Sequence, residues 1–561
     1  MLVEAYKYSD PRPTRSEERS SQTVAETVAD CIVLAVATLL PVILYIRQLG
    51  IYADDWSVFA RFRAYGDRTI AEYFRTFYSL PVTHSRPVMD LYEAVLFRWF
   101  GVHPFGYHAV NAFVFFASAL LFYLSIRLVL RERFVALSVP VVFLLLPNYS
   151  SARFVPFTFM IGLSLAFFFL NLYSMLKAVR GRTFAMGWGL ASVTAVILSG
   201  LAYEVALPLF VLNLLVVGTV ERRKPLRERL RSSSLALLLT LNVAALIGVL
   251  TFKVLTTIRY HGVVSPRAFV NGAMVVHFYK LGLRLPIVAA KVILVYWNAK
   301  LVALAALFGL AFFYYLWRLQ SKSDSAWSSL GEPLSFLAFG FLVFAFGVSL
   351  FFVSAGSMAF TATGVENRTA VAASLGVALI FSGFALCLGA LSKAHHRLIS
   401  SLLIALLSVA ELLATGTIGS FWAEAAEQQK LVLSSVKRDI PVLPPHSVLL
   451  VDGVCPYVGP GIVFEGGGDM GGSLQLLYQD PTLLGDVVSP RLRLHLEDIE
   501  TVIYGRSRYY PYGPNLKVYD YRRKKAWDLP DLASATRYFG IGNPAYTFCP
   551  EGNEGDGVPI F

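Results

Sequence analysis

The chain reads as a polytopic α-helical membrane protein that ends in a smaller soluble α/β or mixed domain. Three observations predict this. Of its 561 residues, 56% are hydrophobic and only 15% charged, where a soluble protein carries about a quarter; its mean hydropathy is +0.58. Apolar runs of about 18 or more residues recur, the length needed to cross a hydrocarbon core. After residue 420 the apolar runs stop and polar, Gly- and Pro-punctuated sequence takes over.

Spans are expected near 29–47, 107–130, 134–150, 154–176, 184–203, 205–220, 235–256, 301–317, 333–353, 370–391 and 398–418. The first follows a polar tail, residues 1–28, expected to be disordered and cytoplasmic. Alternate short loops carry the basic residues: Arg131 and Arg133; Lys177, Arg180 and Arg182; the run from Arg222 to Arg231; Arg318 and Lys322; Lys393 and Arg397. This is the positive-inside pattern. It accounts for much of the net charge of +12 and removes the case for a nucleic-acid partner. It also places the N-terminus in the cytoplasm and, with an odd number of spans, residues 420–561 outside. The stretch 268–300 is ambiguous, because Leu285 to Trp297 is apolar but interrupted by Lys291 and only about half a bilayer long. Eleven or thirteen spans keep the charge pattern, whereas twelve turn Arg318 and Lys322 outward.

The transmembrane region is thus 29–419, with a first outer loop, 48–106, too long to be a mere connector. Ile70, Tyr73, Phe74, Phe77 and Tyr78 recur there at helical spacing. So do Val88, Leu91, Tyr92, Val95, Leu96 and Trp99, with Asp90 and Arg98 placed off that face. Both patterns suit interfacial helices or helices packed on the bundle. In the C-terminal region, Glu424 to Lys437 reads as a helix, and Ser447 to Val451, Ile499 to Tyr504 and Leu516 to Tyr521 as strands. Glu465-Gly466-Gly467-Gly468-Asp469 lacks the lysine of a phosphate loop and reads as a flexible turn. Cys455 and Cys549 both fall in this region; an oxidising compartment favours a disulfide between them, although spacing alone does not show that they meet.

The residues that suggest chemistry lie at the ends of spans. Asp54 and Asp55 stand where the chain leaves the first span and enters the long loop. The charge pattern places Glu204, between two apolar runs, on the same side, along with Arg153, Arg368, His84 and Arg86. A carboxylate at such a boundary is costly unless paired or functional. His108 and Asn111 lie one helical turn apart near the outer end of the second span, where they line a cavity or make an ordinary helix–helix hydrogen bond. No His/Cys cluster has zinc-site spacing, and no Ser-His-Asp arrangement can be picked out.

The order of these features carries a resemblance. The acidic pair is followed by Ser85-Arg86-Pro87-Val88, by Gly101-Val102-His103-Pro104-Phe105-Gly106-Tyr107-His108-Ala109-Val110-Asn111, and by a Glu-x-x-Leu-Pro pattern from Glu204 to Pro208. Over residues 29–220 this resembles the GT-C class of membrane glycosyltransferases, which includes protein O-mannosyltransferases and lipid A aminoarabinose transferases. The resemblance implies sugar transfer from a polyprenyl-phosphate-linked donor to a glycan, lipid or protein acceptor at the outer face of the cell's inner or plasma membrane, in contact with membrane lipid. It makes Asp54 the leading catalytic carboxylate, with Asp55 supporting it or helping to hold a divalent cation, and Glu204 lining the site. The lipid phosphate would fall to Arg368, Arg86 and the later basic cluster of Arg259, Arg267, Lys280 and Arg284. His84, His108 and Asn111 would line the site. Two positions depart from the pattern: Asn148-Tyr149-Ser150-Ser151 stands where a histidine or acid is common, and Tyr203 where a lysine often precedes the Glu.

Other functions predict other features. A flippase of lipid-linked glycans calls for ionisable residues near the midplane and pseudo-symmetric halves. An O-antigen polymerase or ligase would use arginines of a large later loop, for which 257–300 qualifies. A plain anchor for the C-terminal domain leaves the first-loop acids unexplained.

Overall fold

A computed structural model of the chain describes residues 16–64, 66, 68–80, 83–130, 132–180, 185–222, 233–261, 282–321, 330–350, 363–392, 394–489, 491–503 and 506–540. Its principal helices in chain order are α1 (Ser16–Ile43), α2 (Asp54–Ala64), α3 (Ile70–Tyr78), α4 (Pro87–Phe100), α5 (Pro104–Val129), α6 (Arg133–Leu145), α7 (Met160–Arg180), α8 (Ala185–Ala202), α9 (Phe210–Arg222), α10 (Ser233–His261), α11 (Leu285–Leu294), α12 (Ala299–Ser321), α13 (Gly331–Ser349), α14 (Val371–Leu391), α15 (His396–Asp439), α16 (Gly467–Tyr478) and α17 (Leu532–Phe539). Among the described residues, 9 helices are long and apolar enough to cross a membrane. The chain is an integral membrane protein.

Two expected spans, the third and sixth, are the shorter apolar helices α6 and Leu207–Val220. Pro140 lies inside α6, and the backbone then breaks into a 3-10 turn at Pro147–Tyr149, one α turn at Ser151–Phe154 and a second 3-10 turn at Pro156–Thr158. Nearly all of this irregular stretch is buried. Such backbone survives at membrane depth only where protein surrounds it. The ambiguous stretch contains α11, which at 10 residues is about 15 Å long and does not by itself cross the hydrocarbon.

Four expectations are corrected. α1 begins at Ser16, within the tail expected to be disordered. The last span and the helix expected at Glu424 to Lys437 are one 44-residue helix, α15, about 66 Å long. On α4 the buried face is Met89, Asp90, Glu93, Ala94, Leu96 and Phe97, while Leu91 and Trp99 of the expected apolar face are exposed; the acids point inward. The glycine run is no free turn, because α16 starts within it.

The C-terminal region builds on the projecting half of α15. Its main sheet has the order β2-β1-β3-β4, numbered in chain order: β1 (Val448–Asp452) lies parallel to both β2 (Leu484–Val487) and β3 (Leu516–Asp520), and β4 (Lys525–Asp528) runs antiparallel to β3. The buried run of β1 explains its central place, since both its faces are covered. Trp422, Ala426 and Val436 of α15 share one buried cluster with Phe464, Leu474 and Tyr519 and with Tyr52 and Ala53. That cluster brings the C-terminal region against the start of α2. Cys455 is disulfide-bonded; Cys549 lies outside the described residues, and Cys31 and Cys387 are free.

Candidate active site

Asp54 and Asp55 form the first turn of α2, where the helix dipole favours negative charge. The turn is entered through Ala53 at φ 48°, a left-handed conformation rare for a residue with a side chain. The two acids then diverge. Asp55 is buried, its Oδ2 accepting from the Tyr52 backbone N–H at 2.8 Å and its Oδ1 from the Phe157 N–H at 2.7 Å. It staples α2 to the buried irregular stretch. Burial pushes its pKa well up, the two N–H groups offset part of this, and Asp54 adds to the rise.

Asp54 is exposed. Protein crowds it on enough sides to raise its pKa, and the Arg368 guanidinium pulls in the opposite direction. Arg368 sits on the 3-10 turn Val365–Ala370, donates to the Val365 carbonyl at 3.0 Å and lies 5.4 Å over the Phe157 ring. Asn367 beside it fixes that turn, taking the Ser151 N–H at 3.1 Å and donating to Ser150 Oγ at 2.9 Å. A carboxylate, a cation and the segment between α6 and α7 thus meet, though they come from parts of the chain far apart.

A second centre joins α4 to the bundle. Arg86 donates from Nε to Glu204 Oε2 at 3.1 Å and from Nη2 to Oε1, while Lys253 Nζ donates to Oε2 at 3.0 Å. The Arg86 guanidinium lies 4.4 Å over the Tyr203 ring. Burial alone would raise the Glu204 pKa, but the two cations more than offset it and hold the group ionised. One carboxylate facing two cations leaves a positive excess here, so Glu204 is a partner for cations and not a free base.

Asp90 and Glu93 lie behind this clasp. Both are buried; neither Asp90 oxygen makes a well-formed hydrogen bond, although Thr83 is near enough to act on it, and Glu93 Oε1 has none. Burial raises the Asp90 pKa to about 8, with Thr83, Arg86 and Lys253 opposing. Glu93 is pushed well up by burial, then by Asp55 and Asp90. It stands electrostatically between the two centres.

The remaining expected residues divide. His108 Nε2 donates to the Gly50 carbonyl at 3.0 Å and Asn111 Nδ2 to the Ala152 carbonyl at 3.0 Å; both are buried, and both brace backbone that leads into the site. His84 stacks on the Tyr78 ring with centroids 4.6 Å apart. Arg284 precedes α11, and no hydrogen bond or ion pair among the described residues ties it to Asp54, Asp55 or Glu204. The Arg259 side chain, Arg267 and Lys280 lie outside the described residues. With both oxygens of Asp55 taken by backbone, it makes a poor metal ligand, and among the described residues no group of three His, Cys, Asp or Glu side chains could hold a metal.

Lys253, Asp90 and Glu93 were not expected at the site, and neither was the buried Glu411 beside Arg153. Lys253 interrupts the long apolar α10 and Glu411 lies within α15; an ionisable residue inside a span was the available signal. Glu411 is buried near enough to Arg153 to interact with it, and the Arg153 guanidinium lies 4.8 Å over Tyr149 and 5.1 Å over Phe115. Asp90 and Glu93 gave a weaker signal, an i, i+3 pair that only the true buried face of α4 makes meaningful.

Fold and site together define a polytopic membrane protein with an acid-and-cation centre where its first long loop meets the helix bundle. The chain matches no family model, and no curated protein matches it. Two solved structures are similar: ArnT from Cupriavidus metallidurans in the apo state, 14% identical with a TM-score of 0.37, and the same protein bound to undecaprenyl phosphate, 13% identical with a TM-score of 0.35. Each similarity covers 84% of this chain and 87% of the other.

Proposed function

We propose that this protein is a GT-C-type glycosyltransferase that moves a sugar from a polyprenyl-phosphate-linked donor to an acceptor at the outer face of the membrane. The observation that carries this reading is the division of labour at the site. Asp54 is an exposed carboxylate with a raised pKa, the state that suits a general base. Arg368, and the positive excess of Arg86 and Lys253 over Glu204, supply the charge that a departing lipid phosphate needs.

In the proposed step the acceptor hydroxyl oxygen attacks the anomeric carbon of the donor sugar and Asp54 takes its proton. The bond from that carbon to the phosphate oxygen breaks, and polyprenyl phosphate leaves with the electron pair. Asp55 positions α2. Glu204 keeps Arg86 and Lys253 together, and apolar faces of the bundle hold the polyprenyl tail. Residues 48–106 and the C-terminal region lie outside the cytoplasm in this reading.

The test is a transfer assay on the full-length protein in lipid nanodiscs, with a panel of polyprenyl-phosphate sugars and an extract of envelope glycans, lipids and proteins. Consumption of one donor with appearance of a glycosylated product, lost in Asp54→Asn, is expected. Failure to consume any donor, or equal turnover by Asp54→Asn, overturns the proposal.

A further inference from the structure

α16 of the C-terminal region lies directly on α2. A Cβ built on Gly472 would stand 2.5 Å from the Trp56 carbonyl carbon and 2.6 Å from both the Trp56 carbonyl oxygen and the Ser57 nitrogen. These are backbone atoms, so no side-chain rotation could relieve the clash. The contact is local to that position: a Cβ at Gly468, one turn earlier, meets nothing within 4 Å. The Trp56 ring separately rests against Phe464, with centroids 6.1 Å apart. Trp56 is two residues from Asp54 on the same short helix.

α16 itself has little room to retreat. Met470 and Leu474 are wholly buried, and Leu474 closes on the strand Leu484–Val487, where a Cβ at Gly485 would lie 2.5 Å from Leu474 Cδ1. The first turn of α16 is pinned by Asp469, whose buried carboxylate accepts from the backbone N–H groups of Glu465 at 2.6 Å, Gly466 at 2.9 Å and Met470 at 2.8 Å. A force applied at Gly472 therefore bears on α2 and on the Asp55 staple that holds it.

We propose that the C-terminal region is part of the catalytic apparatus, and that Gly472 is a positioning residue which sets where Asp54 stands. This rests on the reading of Asp54 as the base. Adding one methyl group at Gly472 must open the contact by about 1 Å to reach ordinary carbon–carbon separation. A misplacement of that size in a reacting group costs on the order of a hundredfold in rate. Of the cations assigned to the donor phosphate, Arg86 and Lys253 stand at α4 and α10 and Arg368 on the turn Val365–Ala370, so none of them rides on this contact.

The experiment compares Gly472→Ala with Gly468→Ala in the full-length protein, reading kcat and KM for the donor together with hydrogen exchange of residues 52–64. Gly472→Ala is expected to lower kcat about 10- to 100-fold with donor KM within about 3-fold, and to speed exchange over 52–64. Gly468→Ala is expected to leave all three unchanged. Phe464→Leu, which loosens the ring contact with Trp56, should lower kcat in the same direction by a smaller factor, and it decides the matter if Gly472→Ala does not fold. In folded protein, unchanged kcat overturns the proposal whether or not exchange changes; where Gly472→Ala does not fold, unchanged kcat in Phe464→Leu overturns it. If Asp54→Asn proves fully active, the functional reading fails, while exchange over 52–64 still shows whether Gly472 holds α2.

Discussion

Adjacent carboxylates can have opposite duties when one is buried and the other is not. Asp54→Asn removes a proton acceptor from an exposed site and should abolish transfer while leaving the thermal midpoint unchanged. Asp55→Asn places an amide that can accept from only one of the Tyr52 and Phe157 N–H groups and turns its own donor toward the other. It should cost about 1–3 kcal/mol of stability, together with a smaller loss of activity; thermal unfolding of both variants in one lipid system separates the two roles. The base must be ionised, so turnover should rise with pH along a limb lying above the ordinary Asp range, as the raised pKa of Asp54 requires, and a pH–rate profile of the wild type measures it. Asp90 makes a prediction of opposite sign. Between the ordinary carboxyl pKa of about 4 and its folded value of about 8, the folded protein keeps a proton that the unfolded chain has lost. Stability therefore declines as pH rises through that window. Asp90→Asn should flatten the decline in midpoint measured from pH 5 to 9.

Among elements, α13 and α14 show how small residues let two membrane helices approach. A Cβ at Gly347 would lie 2.5 Å from the Ala373 nitrogen, and one at Gly376 would strike the Phe344 nitrogen. Apolar side chains gain little by leaving lipid for one another, so packing of this kind drives helix association. Gly376→Val should separate the pair and lower both the midpoint and the monodisperse fraction in detergent, whereas Gly331→Ala, with open space around it, should be silent; size-exclusion chromatography reads both. The charged clasp is the polar counterpart. Glu204→Gln leaves Arg86 and Lys253 facing each other and should cost on the order of 2–3 kcal/mol, less than a wholly buried pair because about a quarter of the Arg86 and Glu204 side chains still meets solvent.

Across the whole molecule, α15 carries the chain out of the bundle and supplies the surface on which the C-terminal sheet assembles. The packing of Gly472 against the Trp56 backbone puts that region and the first long loop on one side of the molecule, which we propose is the outer side of the membrane. Cysteines at the exposed Arg75 and Leu496, in a background with Cys31 and Cys387 changed to serine, should both react with an impermeant thiol reagent in intact cells or spheroplasts. Reaction at only one of them breaks the proposed odd-span topology.

Hydropathy was enough to place nine of the eleven expected spans on helices long and apolar enough to cross a membrane, because a bilayer demands long apolar runs whatever their neighbours; the third and sixth fell on shorter apolar helices. Local pattern likewise placed the cores of β1, α3 and α4 and picked out Asp54 and Asp55. What it could not supply was which face of α4 turns inward, since Val88-Met89-Asp90-Leu91 supports more than one stripe and only packing against Phe59, Phe62 and Tyr107 selects among them. Nor could it pair Glu204 with Arg86 and Lys253, Asp55 with Phe157, or Gly472 with Trp56. Those partners are separated by between 49 and 416 residues, and only the folded chain brings them within reach of one another.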